Sequence, residues 1–191
     1  MALACELADH PVIASIAPGT FDRAGIAPHE HGTRVAVGVV RRLIPMSGKS
    51  AAQIARDAAT GLNGDFYELS ALMCWDAVVY CMVRGGGSDP GSITSASSSH
   101  VVSTGDPAIT SGAEMRWAPQ GAFIGFFDGS RLIHAMIATG HGFAAGNKNA
   151  CLGIGNPVGW EILDVAGRLD WLNGGVCVGG KRYGVHYRAM G

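Results

Sequence analysis

The chain has 191 residues, of which 48% are apolar and 15% are charged, and its formal net charge at pH 7 is −1. This composition excludes a disordered chain and predicts one domain over residues 1–191 with a sizeable buried core. The small net charge excludes a strong general attraction to nucleic acid or to an anionic membrane surface.

The N-terminal stretch shows neither a secretion signal nor a membrane span. No basic residue precedes Arg23, Asp9–Pro11 interrupts the apolar run, and no stretch reaches the roughly 18 apolar residues of a membrane helix. The five cysteines are an odd number, and a chain of this size builds a core without disulfides, so we expect reduced thiols. These features predict a cytoplasmic protein in the producing cell and leave open export without a cleaved signal.

The first half of the chain predicts mainly helices. Val35–Val40 is a Val-rich strand or buried segment. Ser50 is placed to cap a helix over Ala51–Ala59, and Ser70 to cap a second helix over Ala71–Arg84. The second helix carries apolar residues at helical spacing, which predicts one buried stripe. That stripe comprises Cys74, Ala77, Val78 and Cys81.

The second half predicts an antiparallel sheet. Residues 88–112 are rich in Ser, Thr and Gly and form a long loop, which is either a substrate-contacting lid or a surface insertion. Asp128-Gly129 is a hairpin turn signal between Ala122–Phe127 and Arg131–Thr139, and Gly140–Asn149 is a wide turn. Further strands are predicted at Cys151–Gly155, Trp160–Val165, Cys177–Val178 and Tyr183–Tyr187. Helices followed by an antiparallel sheet predict an α+β fold with the helices packed on the sheet.

Cys74 is the candidate nucleophile because of its place on the second helix. Only the thiolate form of cysteine is a useful nucleophile, and the unpaired N–H groups of a helix N-terminus lower the thiol pKa. Cys74 falls within the first turn or so after Ser70. A histidine from the sheet would accept its proton and later protonate the leaving group. His134, in an apolar strand, is the candidate for that role.

Three segments, taken together, resemble the papain-like cysteine peptidases. Cys74-Trp75 is similar to the Cys-Trp pair that opens the central helix of that family, and His134–Gly140 is similar to its strand of a catalytic His followed by Ala and an apolar run. Leu152–Trp160 resembles the segment that carries the orienting Asn, which here is Asn156. The resemblance covers parts of residues 70–165 and implies a papain-like fold with a Cys-His-Asn site.

The sequence departs from the family pattern in three places, one of which is the step of 22 positions from His134 to Asn156, longer than usual. Only 60 residues separate positions 74 and 134, which fits the minimal papain-like folds of bacterial cell-wall amidases and toxin deamidases. The family's oxyanion Gln is absent before Cys74, where Glu68 and Ser70 stand. Asp164 is an alternative to Asn156 as the residue that orients His134.

A second register competes with the first. Phe123–Phe127 followed by Leu132–Ala135 is similar to the NlpC type of peptidoglycan endopeptidase, whose catalytic His opens the first of these strands. Ala122 stands at that position, so His134 would only orient and the base would be missing. That register implies an inactive relative.

The resemblance implies a thiol-dependent hydrolase of amide bonds, whether peptidase, amidase or Gln/Asn deamidase, of the kind found among secreted bacterial effectors and toxins. Its partners would be a peptide, peptidoglycan or protein substrate, with a possible immunity or host protein. The alternative is an inactive papain-like binding module that uses the Ser/Thr-rich loop. Neither a cofactor nor a metal is expected, because His29 and His31 lack the paired cysteines or helical histidine spacing of a metal site.

Overall fold

The computed structural model describes residues 47–61, 64–87 and 102–189, and all of them belong to one compact unit. The predictions for Val35–Val40 and for His29 and His31 lie outside these residues, as does most of the Ser/Thr-rich loop. The predicted single domain over residues 1–191 also extends beyond them.

Three helices open the described chain, and the first is the one predicted. Helix α1 spans Ala51–Ala59, and the Ser50 side chain accepts a hydrogen bond from Gln53 N. Its Ile54 and Ala55 are buried, as the helical spacing predicts. Helix α2 spans Asp65–Ala71 and helix α3 spans Cys74–Arg84. The buried stripe on α3 is also confirmed, because Ala77, Val78 and Cys81 have no exposed surface and Cys74 is 4% exposed.

The start of the second predicted helix is corrected. Ser70 lies inside α2, where its hydroxyl donates to Phe66 O at 2.6 Å, and Met73 rather than Ser70 precedes the first residue of α3. Leu72 and Met73 are extended, with ψ of 164° and 153°. The chain therefore breaks between two helices, and Cys74 becomes the first residue of α3.

Seven strands form one antiparallel sheet in the order β4-β3-β2-β1-β7-β6-β5. Their bounds are Phe123–Asp128 (β1), Arg131–Gly140 (β2), Phe143–Asn147 (β3), Trp160–Asp164 (β4), Asp170–Leu172 (β5), Gly175–Val178 (β6) and Lys181–Arg188 (β7). Two short helices, α4 (Gly112–Met115) and α5 (Val165–Arg168), lie outside the sheet. Helices before an antiparallel sheet confirm the predicted α+β class.

The Asp128-Gly129 hairpin and the strand at Trp160 are confirmed, but two neighbouring assignments are wrong. The predicted wide turn Gly140–Asn149 contains β3, whose small residues pair with β2 on one side and β4 on the other. The predicted strand Cys151–Gly155 is instead a 3₁₀ turn at Asn149–Leu152 followed by a loop. Residues 143–147 form a strand because β2 and β4 pair with them on both sides, whereas residues 151–155 have no neighbouring strand to pair with.

One face of the sheet packs against the helices α1–α3. From this face Trp160 donates its indole N–H to Ala55 O at 2.9 Å. Asn147 donates its amide N–H to Leu69 O at 2.5 Å. Successive strand residues point to opposite faces, so the residues next to Trp160 and Asn147 in β4 and β3 face away from the helices.

The other face forms a second core. A Cβ built on Gly146 would lie 3.0 Å from Met136 Cγ, which places both on this face. Residues of the sheet, α4, α5 and their loops fill it, and α1–α3 supply none of its described members. Its largest buried members are Phe126, Ile109, Met115, Ile124, Met136 and Leu152.

None of the helices in the described residues is long and apolar enough to cross a lipid bilayer.

Candidate active site

Cys74 occupies the first position of α3, where backbone N–H groups lack partners within the helix. No side chain caps this terminus, because Met73 holds the N-cap position. The positive end of the helix dipole therefore acts on the Cys74 thiol and favours its thiolate. Cys81, two turns later, is fully buried, and burial raises the pKa of its thiol. Both cysteines of α3 are buried, and the helix N-terminus is what distinguishes the surroundings of Cys74 from those of Cys81.

The turn that leads into Cys74 is held by residues from the far end of β3. Asn147 donates to Leu72 O at 2.8 Å as well as to Leu69 O. The Lys148 ammonium donates to Leu72 O at 2.6 Å and to Ser70 O at 3.3 Å. These contacts satisfy the last carbonyls of α2, which explains why the chain breaks just before Cys74.

His134 is hydrogen-bonded to Asn149. The distance from His134 Nε2 to Asn149 Oδ1 is 2.9 Å, and both side chains are buried. The Asn149 amide donates to Gly146 O and to Glu161 Oε1, each at 3.0 Å, so its oxygen is directed at the ring. An amide oxygen only accepts, so His134 carries its proton on Nε2 and its lone pair on Nδ1.

His134 is neutral at pH 7. Burial lowers its pKa to about 4, the hydrogen bond to Asn149 opposes that shift, and the charge of Lys148 adds to it. An imidazolium in this position is therefore costly.

The predicted orienting residues do not reach His134. Asn156 is exposed and its amide donates to Glu161 Oε2 at 3.0 Å, while its backbone N–H donates to Glu161 Oε1 at 2.6 Å. Asp164 accepts from Gly167 N at 2.9 Å and caps α5. The amide bonded to His134 is thus that of Asn149 and not that of the predicted Asn156, because the 3₁₀ turn directly after β3 brings Asn149 to the ring.

Cys74 and His134 lie on different faces of the sheet. His134 lies two positions before Met136 in β2 and therefore shares its face of the sheet. Its ring centroid is 6.0 Å from that of Phe126, so the ring points into the second core. Helix α3, which Cys74 opens, belongs to the opposite face. Lys148 interacts electrostatically with both residues. Burial lowers the pKa of Lys148 and Cys74 opposes that shift, while burial and, to a smaller extent, the charge of Lys148 lower the pKa of His134.

A separate hollow lies at the other end of β2. His141, in the Gly140–Gly142 turn, lines it with Arg116 and the largely exposed Trp117. Within residues 47–61, 64–87 and 102–189, no group of three or more His, Cys, Asp or Glu side chains is arranged to hold a metal.

A scan of protein-family models and searches of curated proteins and of solved structures found no match to this chain. The residues around the site therefore carry the functional argument alone. Sequence reasoning missed Lys148, Asn149 and Glu161. The Gly- and Asn-rich composition of 140–149 was the available signal, and it indicated only a turn.

Proposed function

We propose that this protein is a thiol-dependent hydrolase of amide bonds in which Cys74 is the nucleophile. The observation that carries the proposal is the place of Cys74 as first residue of α3, with the Lys148 ammonium acting on it. Both the helix N-terminus and a neighbouring cation favour the thiolate that such chemistry needs.

The order of functional residues supports a papain-like class. Cysteine at a helix start, histidine on a strand and an amide bonded to that histidine follow one another as Cys74, His134 and Asn149. The α+β architecture agrees with that class. Its substrates would be cell-wall peptides or the Gln and Asn side chains of proteins, and its setting that of a bacterial effector or toxin with an immunity or host partner.

In the proposed reaction the Cys74 thiolate attacks the amide carbonyl, and the C–N bond breaks as the leaving nitrogen takes up a proton. Water then attacks the thioester and gives up a proton that balances the first, which frees the acid and regenerates the thiolate. The sequence assigns the proton transfers to His134. Its place on the second core face argues against a direct transfer from Cys74.

The second candidate is an inactive papain-like binding module. The separation of Cys74 and His134 by the sheet favours this candidate, because a papain-like protein whose cysteine and histidine are not in contact would lack the catalytic pair. The Ser/Thr-rich loop over residues 88–112, the predicted contact surface of such a module, lies mostly outside the described residues.

Two variants and an internal control separate these candidates. Cys74→Ala should abolish hydrolysis of peptidoglycan fragments and ammonia release from Gln- or Asn-containing proteins while the protein still folds. His134→Ala should abolish it too if the ring transfers protons. Iodoacetamide at about pH 6, below the ordinary thiol pKa of about 8.5, should label Cys74 far faster than Cys81. Equal, slow labelling of both thiols together with no turnover would overturn the hydrolase proposal.

A further inference from the structure

Lys148 stands at a backbone position that ordinary side chains avoid. Its φ is 55°, in the left-handed region, between the last residue of β3 and Asn149. A non-glycine residue in this conformation is strained and persists there only where the surroundings enforce it. Here the strand before it and the 3₁₀ turn after it do so, and its side chain is delivered to the start of α3.

Two hydrogen bonds hold the ammonium of Lys148 at the start of α3. Nζ donates to Leu72 O and Ser70 O, the carbonyls that precede Cys74 by two and four positions. A lysine ammonium has three N–H donors, so one remains beyond these two bonds. Burial lowers the pKa of Lys148, and the neighbouring Cys74 opposes that shift. The cation is thus held by backbone contacts within electrostatic range of the thiol.

We propose that Lys148, and not an imidazolium, is the positive partner that stabilises the Cys74 thiolate. This inference rests on the proposed function, because it assigns the resting charge state of that same site. A fixed ammonium beside a thiol lowers the thiol pKa, whereas His134 faces the second core and is neutral at pH 7. Lys148 is therefore a positioning residue that tunes the nucleophile through its charge.

The other titratable groups on the elements packed around Cys74 do not supply this charge. Asp76 on α3 and Glu68 on α2 are acidic and would raise a neighbouring thiol pKa. His134 on β2 is uncharged at pH 7. The remaining cations on these elements have other partners or positions: Arg84 ends α3 and pairs with Asp65, Arg56 of α1 donates to Thr139 O, and Arg131 opens β2 with an exposed side chain. Lys148 is bonded to the carbonyls just before Cys74.

The test is the pH dependence of Cys74 alkylation by iodoacetamide, read by mass spectrometry of the Cys74 peptide in the full chain. Lys148→Gln keeps an N–H donor for Leu72 O and removes the charge. The midpoint of the pH profile of Cys74 alkylation should therefore rise by about one pH unit or more. Lys148→Arg should restore most of the shift. Lys181→Gln, which removes an exposed lysine bonded to Asp128, should leave the midpoint unchanged. An unchanged midpoint in a folded Lys148→Gln protein would overturn the inference.

A reciprocal measurement keeps the inference testable if Lys148→Gln does not fold. In Cys74→Ser the thiolate is absent, so the Lys148 pKa, followed by NMR of labelled lysine side chains, should fall below its value in the parent protein. An unchanged Lys148 pKa would count against the pairing. Neither readout involves turnover, so a shifted midpoint without any hydrolysis would reject the hydrolase and retain the ion pair.

Discussion

At the scale of single residues, Glu161 organises the polar cluster of the second core. Its carboxylate accepts from the Asn149 amide, the Asn156 amide and the Asn156 backbone N–H. The Asn149 amide then has one orientation, and that orientation decides which nitrogen of His134 carries the proton. Asn156, the predicted orienting residue, is therefore linked to His134 through three hydrogen bonds, the first of which holds Glu161.

Replacing Glu161 tests this chain of contacts. Glu161→Ala leaves a buried amide donor of Asn149 without its acceptor, which should lower the free energy of unfolding by about 1–3 kcal/mol. Nitrogen NMR of His134 should then report a mixture of tautomers in place of the Nε2–H form. Asp170→Ala, an exposed acidic residue on β5, is the matched control and should change neither. A pure Nε2–H tautomer in Glu161→Ala would contradict the proposed control by Glu161.

At the scale of elements, two glycines allow β3, the 3₁₀ turn and β4 to approach one another. A Cβ on Gly146 would lie 2.8 Å from Asn149 Oδ1. Gly155, with φ of 72°, leaves no room for a Cβ beside Glu161 and Leu163. Larger residues would therefore collide with the groups that hold His134, which explains why glycine stands at both positions.

Gly146→Ala should separate β3 from the turn that follows it. The added methyl group must displace Asn149 or the Met136 side chain, and overpacking of this kind costs about 1–3 kcal/mol. Urea unfolding measures the loss. Gly105→Ala is the control, because a Cβ there meets only Ser103 Oγ at 3.6 Å, and its effect should stay within about 0.5 kcal/mol. Equal stabilities for the two variants would show that the approach at Gly146 is looser than described.

At the scale of the whole molecule, the sheet divides the interior into a helical layer and a second core, and each contains a costly polar group. His134 lies in the second core. Asp76 lies in the first turn of α3 with 5% of its surface exposed, and its Oδ1 has no hydrogen-bond partner. Burial raises the pKa of Asp76 to about 6. The helix N-terminus favours the Asp76 carboxylate, but this effect is smaller than the cost of removing the carboxylate from water.

This burial makes global stability depend on pH. Between about pH 4 and pH 6 the folded protein keeps a proton on Asp76 that the unfolded chain has lost, so the contribution of this group to stability falls as pH rises through that window. Asp76→Asn removes the charge. It should be more stable than the parent protein at pH 8 by on the order of 1 kcal/mol, a value reduced by solvent screening.

Urea unfolding at pH 4 and pH 8 measures the effect. The advantage of Asp76→Asn should shrink toward zero at pH 4, where Asp76 is protonated in the folded state. A difference that is the same at both values would mean that Asp76 is not buried as a carboxylate.

Features encoded within a few residues were readable from the chain alone. Ser50 bonds to Gln53 three positions on, and the Asp128-Gly129 turn joins adjacent strands. The same holds for the α+β class and for Cys74 near a helix start. Such features depend on neighbours in sequence, so propensity and spacing predict them.

Only the tertiary structure decided the rest. The break before Cys74 depends on Asn147 and Lys148, which come from more than 70 positions away. The alternation of side chains along a strand predicts that His134 and Met136 share one face of the sheet. Only the packing of α3 determines that this face lies away from Cys74. The choice of Asn149 over Asn156 likewise depends on where β3 ends. These contacts join residues distant in sequence, and no local pattern encodes which distant partner a buried donor or ring will meet.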